Sequence, residues 1–318
     1  MRRSIPVIFV LVIVIVLPVS FIKKEKASKE ELGKLLFFDP ILSKDHTVSC
    51  ASCHKPEYAF ADTSAVSRGV TRKKGSRNTP SAMNVSLLTS FFWDGRAADL
   101  EEQALAPVEN VTEMNLPLRQ ALYRLKNNKN YYRLFQEAFA DQPTARNLAE
   151  AIAAFERTLE TSDSPFDNWK FSDDPNAVTD GVKRGFALFS GKGKCTSCHF
   201  GSNFTNNDFR NIGLFNARNL KDSGRSLISG KTEDVGKFKT PGLRNVAMTA
   251  PYMHNGIFKT LKQVIDFYND PGKIVPNAIN RDSLLSKSLG LTTQEKKDIE
   301  AFLHSLTDKR FNEVVKRK

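Results

Sequence analysis

The sequence predicts a mostly α-helical chain of two small domains behind an apolar leader, and three observations carry that reading. Apolar residues recur at helical spacing in most segments, whereas alternating strand patterns are few and short. The order helix, loop, Cys-x-x-Cys-His occurs twice, ending at Cys50-Ala51-Ser52-Cys53-His54 and at Cys195-Thr196-Ser197-Cys198-His199. A chain of 318 residues also suits two domains, which cluster near ~100 to 150 residues each, plus a leader.

The leader comes first. Arg2 and Arg3 precede an apolar run from Ile5 to Ile22, closed by Lys23 and Lys24. Paired flanking charges and the lack of a polar face argue against a buried core helix. The run is about as long as a spanning helix needs and no A-x-A site follows it, which favours an uncleaved anchor over a cleaved signal peptide. The expected division is residues 1–26 for this segment, 27–163 for a first domain, 164–177 for a linker and 178–318 for a second domain.

In chain order, Leu32, Leu35 and Leu36 place a helix over Ser28 to Phe38, stopped by Asp39-Pro40. Residues Ala59 to Thr79 are polar and aperiodic and read as a loop. Phe91 to Arg96 reads as a turn, and Asp99 to Ala106 as a helix ended by Pro107. Short helices follow over Pro117 to Asn127 and Tyr131 to Phe139. Leu148, Ile152, Phe155 and Leu159 give Ala145 to Thr161 one apolar face. The Asp, Ser and Pro cluster from Thr161 to Ala177 reads as the linker. Thr179 to Ser190 is helical, Gly201 to Lys239 loop-like, and Lys259 to Tyr268 and Thr293 to Leu306 helical again. A Lys-rich tail follows Thr307. The repeated order points to internal duplication.

The two motifs use all four cysteines. Thiols three positions apart can each add across a vinyl group of one haem, and the adjoining His54 or His199 is then held close enough to ligate its iron. A zinc site fits poorly, because the CxxC pairs are separated by a domain's length of helix. A thioredoxin-like pair explains neither the duplication nor the histidines. Haem of this type is attached outside the bacterial inner membrane, so leader and cysteines agree on a periplasmic location, with anchoring to that membrane. Porphyrin surface also explains how 40% apolar content can suffice for a core.

Net charge is 47 − 35 = +12, with basic residues scattered through both halves. Such charge suits an acidic redox partner or compensation of buried propionates, and no base-reading motif points to nucleic acid.

Further motifs carry a family resemblance. Arg77-Asn78-Thr79-Pro80, Phe92-Trp93-Asp94-Gly95-Arg96-Ala97-Ala98-Asp99-Leu100, Gln103, Pro107-Val108, Glu113-Met114 and Pro251-Tyr252-Met253-His254-Asn255-Gly256 resemble bacterial dihaem cytochrome c peroxidases. That superfamily also contains MauG-like enzymes, which use peroxide to oxidise a partner protein. The resemblance spans nearly everything after the leader. It implies that the first haem is the peroxide site and the second relays electrons from a small c-type cytochrome or cupredoxin. It implies that Trp93 lies between the haems, that Glu113 is the catalytic acid/base with Gln103 and Pro107 lining its pocket, and that Asn78 with the carbonyls of Thr249 and Pro251 holds calcium. From the residues alone, Glu101 and Glu109 are equal candidates to Glu113. Homodimerisation is a family habit.

Two positions depart from the activated peroxidases of this family. The five histidines are His46, His54, His199, His254 and His304, so none lies between 54 and 199 to close the first haem. That haem is expected to be open from the start. The sixth ligand of the second haem is a methionine in the peroxidases, and the matching position here is Tyr268, as in the MauG-like branch. Met253 is the alternative ligand, with Met248, His254 and His304 behind it. A phenolate lowers a haem potential where methionine raises it. The resulting expectation is peroxide reduction to water, with MauG-like oxidation of a protein as the first rival and a non-catalytic dihaem carrier or sensor as a second.

Overall fold

The computed structural model describes residues 26–312, so the leader read from Arg2 to Lys24 and the end of the Lys-rich tail lie outside it. Helix α1 (Lys29–Phe38) opens on a capping box: Ser28 accepts from the Glu31 amide while the Glu31 carboxylate accepts from the Ser28 amide. Pro40 starts a 3₁₀ turn instead of continuing that helix. The single turn α2 (Cys50–Cys53) carries the first motif. Then come α3 (Leu100–Glu109), α4 (Leu118–Asn127), α5 (Lys129–Phe139) and α6 (Ala145–Arg157). Their apolar faces close one core, with Leu32, Leu36, Val108, Leu125, Phe135, Leu148 and Ile152 buried together.

The second half holds α7 (Pro165–Phe171) and α8 (Asp180–Ser190), then the second motif in a 3₁₀ turn over Cys195–Ser197. Strand β1 (Phe209–Arg210), helix α9 (Ser226–Ser229) and strand β2 (Phe238–Lys239) follow, with Phe209 opposite Lys239 in an antiparallel pair. Helices α10 (Leu261–Asn269), α11 (Pro271–Ile274) and α12 (Thr293–Ser305) complete it. Phe166, Val182, Phe189, Ile265, Ile299, Phe302 and Leu303 form its core.

Each half is pinned by one close helix crossing. A Cβ on Gly33 of α1 would lie 1.8 Å from the Ala151 carbonyl oxygen of α6, and one on Gly185 of α8 would lie 1.9 Å from that of Asp298 of α12. Only glycine permits either approach.

The repetition goes further than the two motifs. Asn78-Thr79-Pro80 leading to Asn84-Val85 returns as Lys239-Thr240-Pro241 leading to Asn245-Val246, with both asparagines left-handed (φ 56° and 61°). The Phe91 to Ala97 hairpin returns as Tyr252 to Phe258, with left-handed Phe92 and Gly95 matched by Met253 and Gly256. The copies cross over. The Lys239 amide donates to the Trp93 carbonyl (2.8 Å), and the Asn78 amide to that of His254 (2.6 Å).

Three stretches differ from expectation. Helix α3 continues through Pro107 to Glu109, because a proline in the last turn forfeits only its own amide bond while Asn110 still donates to Ala106 (3.1 Å). Helix α6 stops at Arg157, short of Thr161, whose amide instead donates to Asn84 Oδ1 (2.9 Å). The segment read as a linker contains α7: Ser164 and Asp167 form a capping box around Pro165, and Phe166 is buried in the second core.

Candidate functional site

Both motifs present a histidine prepared to bind iron. His54 Nδ1 lies 3.0 Å from the Phe60 carbonyl oxygen and His199 Nδ1 2.9 Å from that of Phe204. These contacts place the proton on Nδ1 and leave Nε2 as the free lone pair. Burial lowers both imidazole pKa values, keeping the rings neutral. None of the four thiols is in a disulfide. The two cysteine pairs line separate cavities, and no group of three or more His, Cys, Asp or Glu among the described residues is set to hold a metal ion. That arrangement does not fit zinc. Two thiols and one imidazole lone pair at the wall of a largely apolar cavity do fit a covalently attached haem.

The first cavity has a volume of about 560 Å³ and is lined by Cys50, Cys53, His54, Trp93, Gln103, Pro107 and Glu113. Helix α3 and the turn after it bring Gln103 and Glu113 together. Asn110 Nδ2 donates to Glu113 Oε1 (2.6 Å). Burial raises the Glu113 carboxyl above its ordinary value, while the charge of Arg96 and the Asn110 bond pull the other way. Of the other two glutamates, Glu101 pairs with Arg157 and Glu109 accepts the Leu118 amide (3.0 Å); neither lines the cavity. Among the described residues His54 is the one histidine on its wall. Met83 and Met114 also reach it, but each is packed into an apolar cluster.

The second cavity, about 250 Å³, is lined by Cys195, Cys198, His199, Met253, His254 and Tyr268. Burial raises the Tyr268 hydroxyl above its ordinary value. Met248 is packed with Phe37, Ala59 and Met83 away from this wall, and His304 is exposed near the end of α12. The His254 ring stacks on Phe238 at 3.7 Å and 11°. Asn78, Thr249 and Pro251 are also among the residues that line this cavity.

Trp93 lines both cavities. Its Nε1 donates to the Asn78 carbonyl (2.8 Å), and its ring meets His254 edge-on at 6.4 Å. Arg77 ties the halves beneath it through Asp94 (2.5 Å) and Asp222 (2.6 and 2.9 Å).

Sequence reasoning missed Glu156 and Lys239. Glu156 sits in the apolar-faced α6, lines the first cavity, and its Oε2 is buried without a hydrogen-bond partner among the described residues. A charged residue four positions after Ile152 on an otherwise apolar face was the available signal.

Residues 27–175 match the family described as di-haem cytochrome c peroxidase. Methylamine utilization protein MauG of Methylorubrum extorquens is 40% identical over 286 residues, 87% of this chain and 78% of that protein. Cytochrome c551 peroxidase of Pseudomonas aeruginosa is 37% identical over 289 residues, covering 88% and 79%. The crystal structure of a MauG-like protein associated with microbial copper homeostasis superposes with a TM-score of 0.80 at 32% identity, covering 90% and 91% of the two chains. The chain belongs to the di-haem cytochrome c peroxidase family, oxidoreductases that carry two covalently attached c-type haems.

Proposed function

We propose that the chain reduces hydrogen peroxide to water in the first cavity, using electrons from a small c-type cytochrome or cupredoxin that enter through the second. The observation that carries this is the meeting of Glu113, Gln103 and His54 on one cavity wall, with Trp93 shared by the next cavity. Cys50, Cys53 and His54 would hold the first haem, and Cys195, Cys198, His199 and Tyr268 the second. The haem iron supplies the redox chemistry of O–O cleavage.

The chain's own part is proton handling. The Asn110 amide fixes Glu113 Oε1, so the other carboxylate oxygen accepts a proton from one peroxide oxygen and returns it to the departing one. Gln103, one helical turn before Pro107, orients the peroxide. The aromatic column from His254 to Trp93 spans the two cavities and supports a relay role for Trp93. Glu113→Gln should keep both haems and slow peroxide turnover by about 10² or more. Near-normal turnover removes Glu113 from the mechanism.

A second reading is oxidation of residues on a partner protein. Tyr268 at the second cavity favours it, as does the 40% identity to a methylamine utilization protein. Steady-state oxidation of a reduced small cytochrome by peroxide separates the two: brisk turnover supports the peroxidase, and its absence supports protein oxidation.

The remaining proposals are structural. Calcium at Asn78 and the carbonyls of Thr249 and Pro251 draws support from an all-oxygen donor set suited to a hard cation. Chelation should then lower the melting temperature. The division at residues 27–163, 164–177 and 178–318 is kept, with α7 packed on the second unit. No helix among the described residues is long and apolar enough to cross a membrane. The periplasmic location, the anchor and a homodimer stay with the proposal.

A further inference from the structure

Four cationic side chains line the first cavity, and three of them are already paired. Arg77 holds Asp94 and Asp222, Arg96 holds Asp94, and Arg244 holds Asp167. Lys239 is different. It is 8% exposed, and no carboxylate pairs with it among the described residues. Its Nζ donates to the Ser90 carbonyl (2.5 Å) and lies 5.6 Å from the centroid of Phe91. The hydroxyl of that same Ser90 is buried with no hydrogen-bond partner among the described residues.

A buried ammonium satisfied by one carbonyl and a distant ring face is costly, and burial alone brings its pKa down to about 8. Among the described residues no carboxylate meets the charge in this corner. Lys239 lines both cavities, but its ammonium lies over Phe91, which lines only the first, so the charge faces the first cavity although its backbone sits on β2 in the other half. The repeat sharpens the point: the position equivalent to Lys239 is the neutral Asn78, so only one of the two copies brings a charge.

We infer that Lys239 is the counter-charge for a propionate carboxylate of the first haem, so that the second half of the chain sets the reduction potential of the peroxide site. This rests on the dihaem reading above. A cation beside a haem edge favours the reduced iron, and its carboxylate bond holds the macrocycle in place.

The test is a spectroelectrochemical titration of the wild-type holoenzyme, Lys239→Gln and Lys239→Arg. Loss of the charge should lower the reduction equilibrium of the first haem about tenfold, about 59 mV for one electron, with the second haem's potential little changed. Lys239→Arg should restore most of it. An unmoved first haem, or a shift confined to the second, overturns the assignment. If Lys239→Gln does not accumulate, resonance Raman of Lys239→Arg decides: the propionate bending band of the first haem should move, and an unmoved band overturns it. Haem content is checked on the wild type first, where fewer than two haems would overturn the dihaem reading itself.

Discussion

Glu113 and Glu156 line one cavity, yet their surroundings give them different work. Both carboxyls are raised by burial. Glu113 has Asn110 and Arg96 to draw it back, whereas the buried Glu156 is pushed up to about 8. A base must be ionised to act, so turnover should fall as pH drops through the Glu113 pKa. Arg96→Gln removes charge that favours the carboxylate and should move that acid limb to higher pH; a pH–rate profile checks the direction. Glu156 bears on stability. Its folded pKa lies above the unfolded value near 4.5, so the folded state holds the proton more tightly and stability declines as pH rises from 4.5 towards 8. Glu156→Gln should abolish that decline, a gain on the order of a few kcal/mol above pH 8 that denaturant midpoints at pH 5 and 8.5 would record. At the second cavity, Tyr268→Phe should change the low-spin haem spectrum. An unchanged spectrum transfers the ligand role to Met253.

Helices explain how much of this was legible. The 3.6-residue apolar pattern located α1, α8, α12 and the start of α6 closely, and side-chain caps at Ser28, Thr144, Thr179 and Thr292 fix those starts in the structure. The α7 start at Ser164-Pro165 carried the same signal but was read as a linker, since Ser, Pro and Asp serve loops as well as caps. The end of α3 was misread because a proline ends a helix only where its missing bond matters. The two glycine crossings were invisible in sequence, as nothing local distinguishes a glycine at a helix contact. Gly33→Ala and Gly185→Ala should each destabilise the protein by about 1–3 kcal/mol through overpacking, measurable as a lowered melting temperature. An unchanged value would mean that the crossings relax easily.

Across the whole molecule, duplication organises the site. Haem attachment was legible because CxxCH places all its chemistry within five residues. The contacts of the seam were not, because they join residues from copies far apart in the chain: Trp93 with His254, Asn78 with His254, and Lys239 with Ser90. Crossed hydrogen bonds make each copy part of the other's cavity wall, which suits one electron path between two centres. Among the described residues His54 alone of the histidines lines the first cavity, and this gives the account its central claim, that the site accepts peroxide without prior reduction. Rapid mixing of the fully oxidised protein with one equivalent of hydrogen peroxide, followed by visible and near-infrared spectra, tests it most directly. The account predicts a spectral change within the first moments of mixing and no need for reductant. A spectrum that stays unchanged until one haem has been reduced would contradict it.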